Sequence, residues 1–321
     1  MKPLSQTDHH VLVTGASGFI GQYLVKALLN EGWQVTALDL KGGFPDHIKK
    51  TGAVEIIQGD INELDNLQNI IDRVDAVCHL AAFIPPDYED PTYAETCIKS
   101  NSLATLRLAL LVSQHPAQRF IYLTSGNAYI HSDIPLTEND PMYPADRATY
   151  YLSSKLVGEL FVEHLRRSRH MQSLCLRISS LFGLGMSPKS VVARFMESAY
   201  RGLPLEVFDA GISTYDFVYV KDIANLIVEA LKIGEPGIYN VGSGTAHSIL
   251  ELAQAVIDLF PERKLSINIK PSYGPIPASF SALCIDKAIR TWNFRPHTLF
   301  EGLTEYRNQM EQKIGDYRNN E

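Results

Sequence analysis

Short, continuously apolar runs alternate with segments of helical periodicity through the first half of the chain. Val11–Thr14, Gln34–Asp39, Val54–Gln58, Ala76–Leu80, Arg119–Leu123 and Ser173–Arg177 read as strands. Ile20–Glu31, Leu64–Ile71, Leu103–Val112 and Tyr151–Arg167 read as the helices between them; the first carries an apolar stripe through Tyr23, Leu24, Ala27 and Leu28. Strands without polar alternation are covered on both faces. The pattern therefore predicts an α/β protein built on a Rossmann-type, doubly wound parallel sheet. Beyond Arg177 the order is less regular. Helices are expected at Val191–Tyr200, Asp222–Lys232 and Ile249–Phe260, a strand at Gly237–Val241, a turn at Asp209–Ser213, and loops at Gly183–Pro188 and Lys270–Pro277. This half reads as a smaller mixed α/β cap. The expected division is a Rossmann domain over 1–178 plus about 216–242, a substrate-binding cap over about 179–215 and 243–311, and a frayed polar tail over 312–321.

Composition narrows the function. A formal net charge of −7 argues against a nucleic-acid partner, which needs a basic surface. The cysteines Cys78, Cys97, Cys175 and Cys284 form no C-x-x-C pair, and no histidine cluster has metal-ligand spacing, so no metal is expected. Met1–His10 is polar and too short for a signal peptide, and no apolar run reaches the length of a membrane span. A soluble, cytoplasmic protein is the expectation.

The first strand runs directly into Gly15-Ala16-Ser17-Gly18-Phe19-Ile20-Gly21, and a helix follows. Gly15 suits the tight turn, Gly18 lets backbone approach a pyrophosphate, and Gly21 lets helix and strand pack closely. The helix N-terminus offers free N–H groups and a positive dipole to phosphates. Asp39 ends the second strand at the distance expected of a ribose-binding acid; it would repel a 2′-phosphate, so NAD is favoured over NADP. Asp60-Ile61, after the third strand, is a candidate for the adenine.

Tyr151 and Lys155 stand at i and i+4 on one helical face. A free phenol is too weak an acid for proton transfer at neutral pH. A nearby ammonium and the positive nicotinamide both favour the phenolate, so Tyr151 is expected to exchange a proton with a substrate hydroxyl, with Lys155 as its helper and as a ligand of the nicotinamide ribose. Tyr150 meets Ser154, not a cation, four residues on. Thr124-Ser125 close the fifth strand, at the end where open parallel sheets bind ligands, and offer a hydroxyl to the reacting oxygen.

Together these residues resemble the extended short-chain dehydrogenase/reductase family, the NAD-dependent epimerases and dehydratases, from Val11 to about Gly302. Further matches are His79-Leu80-Ala81-Ala82, Asn101, Arg177, Asp216-Phe217-Val218-Tyr219-Val220-Lys221-Asp222 and Tyr239-Asn240-Val241-Gly242. The resemblance implies Ser125, Tyr151 and Lys155 as the catalytic residues, Ser125 being selected by its place four residues before Tyr129. It implies a cofactor site of Gly15, Ser17, Gly18, Phe19, Ile20, Gly21, Asp39, Asp60, Ile61, Leu80, Ala81, Ala82, Asn101, Tyr151 and Lys155. It also implies a homodimer paired through the two helices Leu103–Val112 and Tyr151–Arg167. Dehydratases of this family carry Asp and Glu where Gly126 and Asn127 stand, so the segment looks more like that of UDP-galactose 4-epimerases. The expected activity is that of an NAD-dependent epimerase-type oxidoreductase on a nucleotide sugar. The alternative is a dehydrogenase or reductase of a non-nucleotide alcohol or carbonyl, because Tyr215 replaces the usual pyrophosphate-binding Arg and Tyr273 has no Arg near it.

Overall fold

The computed structural model describes residues 9–41, 43, 44, 48, 52–115, 118–271 and 279–319. Six strands alternate with helices: β1 His10–Thr14, α1 Phe19–Asn30, β2 Gln34–Asp39, β3 Val54–Gln58, α2 Leu67–Ile71, β4 Ala76–His79, α3 Ala94–Cys97, α4 Ala104–Val112, β5 Arg119–Ser125, α5 Thr149–Arg169 and β6 Gln172–Ile178. The remainder runs β7 Ser180–Phe182, α6 Val191–Tyr200, β8 Leu205–Phe208, β9 Thr214–Tyr219, α7 Val220–Lys232, β10 Gly237–Val241, β11 Ala246–Ser248, α8 Ile249–Leu259, β12 Ile267–Lys270, α9 Asp286–Trp292 and α10 Leu299–Asn319.

The main sheet is parallel throughout, in the order β10-β6-β5-β4-β1-β2-β3. The doubly wound expectation is met. The strand order reverses between β1 and β4, and a crevice opens at such a switch point beyond the carboxyl ends of the strands. Alternation along β5 assigns its two faces. Ile121 and Leu123 join a core with Leu24 and Leu28 of α1 and Ile223 and Ile227 of α7. Phe120 and Tyr122 join one with Leu108 of α4 and Val162 and Leu165 of α5. A third core, with Phe195, Met196, Leu252, Val256 and Leu303, unites α6, α8 and α10 over the small sheets β11-β9-β7 and β12-β8.

Three local expectations change. Helical backbone begins nine residues before Leu103: α3 leads through a π-helical turn, Ile98–Leu103, into α4. The wide turn interrupts the 3.6-residue stripe, which hides its first half from a periodicity reading. The strands β7, β8, β9, β11 and β12 go beyond the sequence expectation; all but the six-residue β9 span only three or four residues, too few to display alternation. Of the tail expected over 312–321, residues 312–319 continue α10, whose preceding turns bury Leu303, Tyr306 and Met310. Gln309 ties that helix to α1 and β9, accepting from Tyr23 Oη at 2.9 Å and donating to Tyr219 Oη at 2.8 Å. The loop expected at Lys270–Pro277 lies mostly outside the described residues.

Candidate active site

The glycine loop sits at the switch point. Gly15 has φ +68°, and a Cβ there would lie 2.7 Å from the backbone nitrogen of Ala81. The turn after β1 therefore touches the turn after β4, and only glycine fits. A Cβ on Gly21 would run into the carbonyl oxygens of Gly15 and Ala16. Helix α1 starts at Gly18 with no side-chain cap and no acidic residue in its first turn. Its leading N–H groups and dipole are thus left for an anion. By contrast α8 closes its own N-terminus with the capping box Ser248/Glu251. An uncapped helix behind a turn that excludes side chains fits a dinucleotide pyrophosphate.

Asp39 is built into this loop. Its carboxylate accepts from the Ser17 N–H at 2.9 Å and the Lys41 N–H at 3.0 Å. Each oxygen keeps a lone pair for a ribose hydroxyl. Ser17 thereby spends its N–H on Asp39. Asp60 accepts from the backbone and side chain of Asn62, and the Ile61 side chain is buried in the core beneath α4. Arg107 of α4 steadies this loop by donating to the carbonyls of Asn62 and Leu64. Leu80 and Ala81 are half-buried and Ala82 is exposed beside Gly15 and its loop. Asn101 is placed differently from the expectation. It is fully buried, and its amide is spent on both backbone groups of Phe83 and on Ser154 Oγ. Its side chain positions elements behind the site.

A directional hydrogen-bond chain joins the two halves of the site. The Ala81 N–H donates to Thr14 Oγ1, and Thr105 Oγ1 donates to the Asn101 carbonyl at 2.6 Å. His79 lies between the two threonines, 2.7 Å from Thr14 Oγ1 and 2.9 Å from Thr105 Oγ1. Since Thr105 spends its proton on Asn101, His79 must donate from Nε2 and accept from Thr14 at Nδ1. Asn101 then donates to Ser154 Oγ, which donates to the Tyr151 carbonyl at 2.7 Å. The imidazole is neutral: burial first, then the charge of Lys155, pulls its pKa down to about 3. Below about pH 6.5 the unfolded chain binds a proton at His79 that the folded protein refuses. Stability from this site is lost as pH falls from about 6.5 towards 3, by about 1.4 kcal/mol per unit. A His79→Gln variant cannot titrate there. Its stability deficit against wild type, followed by denaturant melts, is expected to narrow on acidification; a gap independent of pH would contradict a neutral buried imidazole.

At the chemical centre, α5 packs its first turns on the end of β5 and on the turn Gly126–Ala128. This sets the end of β5, with Ser125, against the helix that carries Tyr151 and Lys155. Ser125 is buried, and its Oγ accepts from the Asn127 N–H at 3.2 Å, leaving its proton free to donate. Lys155 is 3% exposed; its ammonium lies 4.4 Å from the centroid of the Tyr122 ring, and burial pulls its pKa down to about 7. The lowered phenol pKa expected for Tyr151 is not what the protein alone produces. Burial, then Tyr88 and Cys97, push it up, while the Lys155 ammonium lies over the Tyr122 ring. Tyr88 was not anticipated: its ring meets Tyr151 edge-on at 5.8 Å and forms a half-exposed wall. No motif marks it. The position after Ser125 packs on Leu283: a Cβ on Gly126 would lie 2.7 Å from Leu283 Cδ1, and the Leu283 side chain would have to shift to admit one.

The cap side holds no assembled phosphate cluster among the described residues. Tyr215 packs against Phe217 and Phe280, and Arg147 lies over Phe280 while donating to the carbonyls of Ser279 and Tyr129. Lys270 pairs with Glu206, and Lys189, Arg194 and Arg295 are exposed. Asp216 is 1% exposed and accepts from Ser179, Ser243, Gly244 and Leu283, tying the cap turns to the sheet. The four cysteines are unpaired, no group of three or more metal-ligating side chains exists among the described residues, and no described helix is long and apolar enough to cross a membrane.

Comparison with known proteins agrees with this geometry. Residues 11–242 match the model of the NAD dependent epimerase/dehydratase family. A putative UDP-glucose 4-epimerase of Methanocaldococcus jannaschii is 30% identical over 83% of this chain and 87% of its own. A dTDP-D-glucose 4,6-dehydratase of Bos taurus is 27% identical over 78% of this chain and 73% of its own. Among solved structures, MoeE5 in complex with UDP-glucuronic acid and NAD superposes with a TM-score of 0.81 at 27% identity, covering 95% of this chain and 99% of that one. A glycine loop that leads into an uncapped helix at the switch point of the sheet fits that kinship: the chain belongs to the NAD-dependent epimerase/dehydratase family.

Proposed function

We propose that the protein is an epimerase-type oxidoreductase acting at a hydroxyl-bearing carbon of a nucleotide sugar. The observation that carries the choice within the family is the neighbourhood of Ser125. Water loss needs acids beside the reacting carbon. Gly126 carries no side chain and packs on the Leu283 methyls, and Asn127 is neutral, so neither position supplies an acid. The relatives include both activities: the archaeal one is named a putative UDP-glucose 4-epimerase and the bovine one a 4,6-dehydratase, so the choice rests on the Ser125 segment.

In this reading NAD supplies a reversible hydride acceptor. Ser125 donates to the reacting oxygen and orients it. Tyr151 takes the hydroxyl proton and returns it. Lys155 holds the ribose beside the ring and favours the phenolate when charged. Tyr88 closes the site over Tyr151 and keeps water from the reacting centre. The Rossmann part over 1–178 and about 216–242 carries these groups, and the cap over about 179–215 and 243–311 closes on the sugar nucleotide. Leu103 and Leu160 are exposed on the two helices through which a homodimer would pair. A cytoplasmic location fits a substrate made from nucleoside triphosphates.

The second reading, a dehydrogenase or reductase of a non-nucleotide alcohol, is favoured by the apolar setting of Tyr215. Cofactor behaviour separates the two. Purified protein is expected to retain NAD and to interconvert the 4-epimers of a UDP-hexose or UDP-hexuronate without net NADH, as seen by product chromatography and absorbance. Steady NADH release from a simple alcohol would replace the first reading by the second.

A further inference from the structure

Buried polar atoms in folded proteins almost always have partners. Among the described residues four buried side-chain atoms have none: His9 Nε2, Gln118 Oε1, Ser173 Oγ and Thr124 Oγ1. The first three lie at the amino ends of β1, β5 and β6. Thr124 alone lies at the carboxyl end of the sheet, where ligands of open α/β sheets bind. It is 5% exposed, in register with Arg177 of β6.

Its face of the sheet is fixed by alternation. Phe120 and Tyr122 point towards α4 and α5, and Thr124 is the next position on that face. The Lys155 ammonium sits over the Tyr122 ring. Tyr151 lies one helical turn earlier in α5, towards the end of β5. The unpartnered hydroxyl therefore lies on the α5-covered face of β5, the floor under the helix that carries Tyr151 and Lys155, opposite the Ile121 and Leu123 side chains.

We propose that Thr124 is a hydroxyl-binding residue of this floor, its Oγ1 hydrogen-bonding an O–H group held against Lys155. The O–H comes either from the nicotinamide-side ribose or from one ordered water that the ribose fixes. The proposal rests on the reading of Lys155 as a ribose ligand. It makes Thr124 a positioning residue: it sets where the ribose, and through it the reactive ring, stands relative to Tyr151. A hydroxyl with no protein partner contributes nothing to folding by itself, and leaving it buried and unpaired is unfavourable. Its retention is explained by the bound state.

Two variants, Thr124→Val and Thr124→Ser, test this by thermal melting without cofactor, NAD titration calorimetry and the pH profile of turnover. Thr124→Val is expected to melt at or above wild type without cofactor and to bind NAD about 3–10-fold more weakly, the size of one neutral hydrogen bond. Thr124→Ser is expected to keep wild-type affinity. If a water is the partner, NAD affinity holds in Thr124→Val and the pH dependence of turnover shifts instead; this too supports the site. Wild-type affinity together with a wild-type pH profile in Thr124→Val overturns it. So does a lowered melting temperature without cofactor, which would give the hydroxyl a structural partner. Failure of the wild-type protein to bind NAD would instead defeat the cofactor reading itself.

Discussion

Replacing Tyr151 by Phe is expected to lower turnover about 10²–10⁴-fold while leaving the fold and NAD binding in place. The change removes one oxygen and keeps the ring that meets Tyr88 edge-on. The backbone carbonyl that Ser154 uses is untouched. What is lost is the proton acceptor for the substrate hydroxyl. Phe cannot take that proton, and Lys155 is a poor substitute because its ammonium is drawn onto the Tyr122 ring. NAD affinity by calorimetry and the melting curve serve as controls. Turnover within a few-fold of wild type would remove Tyr151 from the mechanism and return attention to Tyr150, its neighbour in α5.

The burial of Tyr151 sharpens what the cofactor must contribute. In the protein alone the phenol is pushed up and Lys155 is pulled down to about 7, so each group resists its charged form. An i, i+4 spacing places two side chains on one helical face, but it does not say where the longer one points. Here the aromatic floor at Tyr122 decides that.

The same limit explains how much was readable in advance. The six strands up to β6 and the helices α1 and α5 follow from apolar runs and turn chemistry that are local in sequence. The glycine loop was legible because its spacing is local: Gly18 and Gly21 answer close approaches within their own βα unit, although Gly15 answers the turn after β4. His79 was noticed as part of a motif, but its place between Thr14 and Thr105 depends on three elements meeting, which no local pattern encodes. The expectation that Asn101 is a cofactor ligand rests on its position, which does not reveal that its amide bonds Phe83 and Ser154. Tyr88 and Leu283 reach the site from distant segments without a motif. The cap strands, three to six residues long, are set by pairing rather than by their own composition.

Arg177→Met is expected to cost about 3–5 kcal/mol of stability, measured by denaturant unfolding of the protein without cofactor. Arg177 on β6 is 6% exposed and Glu159 on α5 is 2% exposed, with 2.6 Å between Nη2 and Oε1. Arg177 also donates to Tyr129 Oη and, at 2.9 Å, to the Glu138 carbonyl. Met fills much of the volume but leaves the Glu159 carboxylate buried without its cation. A buried pair gains little over apolar packing, whereas a buried lone charge is heavily penalised. The double variant Arg177→Met/Glu159→Leu is therefore expected to recover most of the loss. The pair also pins α5 to β6 one turn beyond Lys155, so the single variant should lower turnover through misplacement of Tyr151. If the single and double variants were equally unstable, the loss would come from the Tyr129 and Glu138 bonds and not from the stranded carboxylate. A loss under 1 kcal/mol in the single variant would mean that the ion pair is solvated in solution.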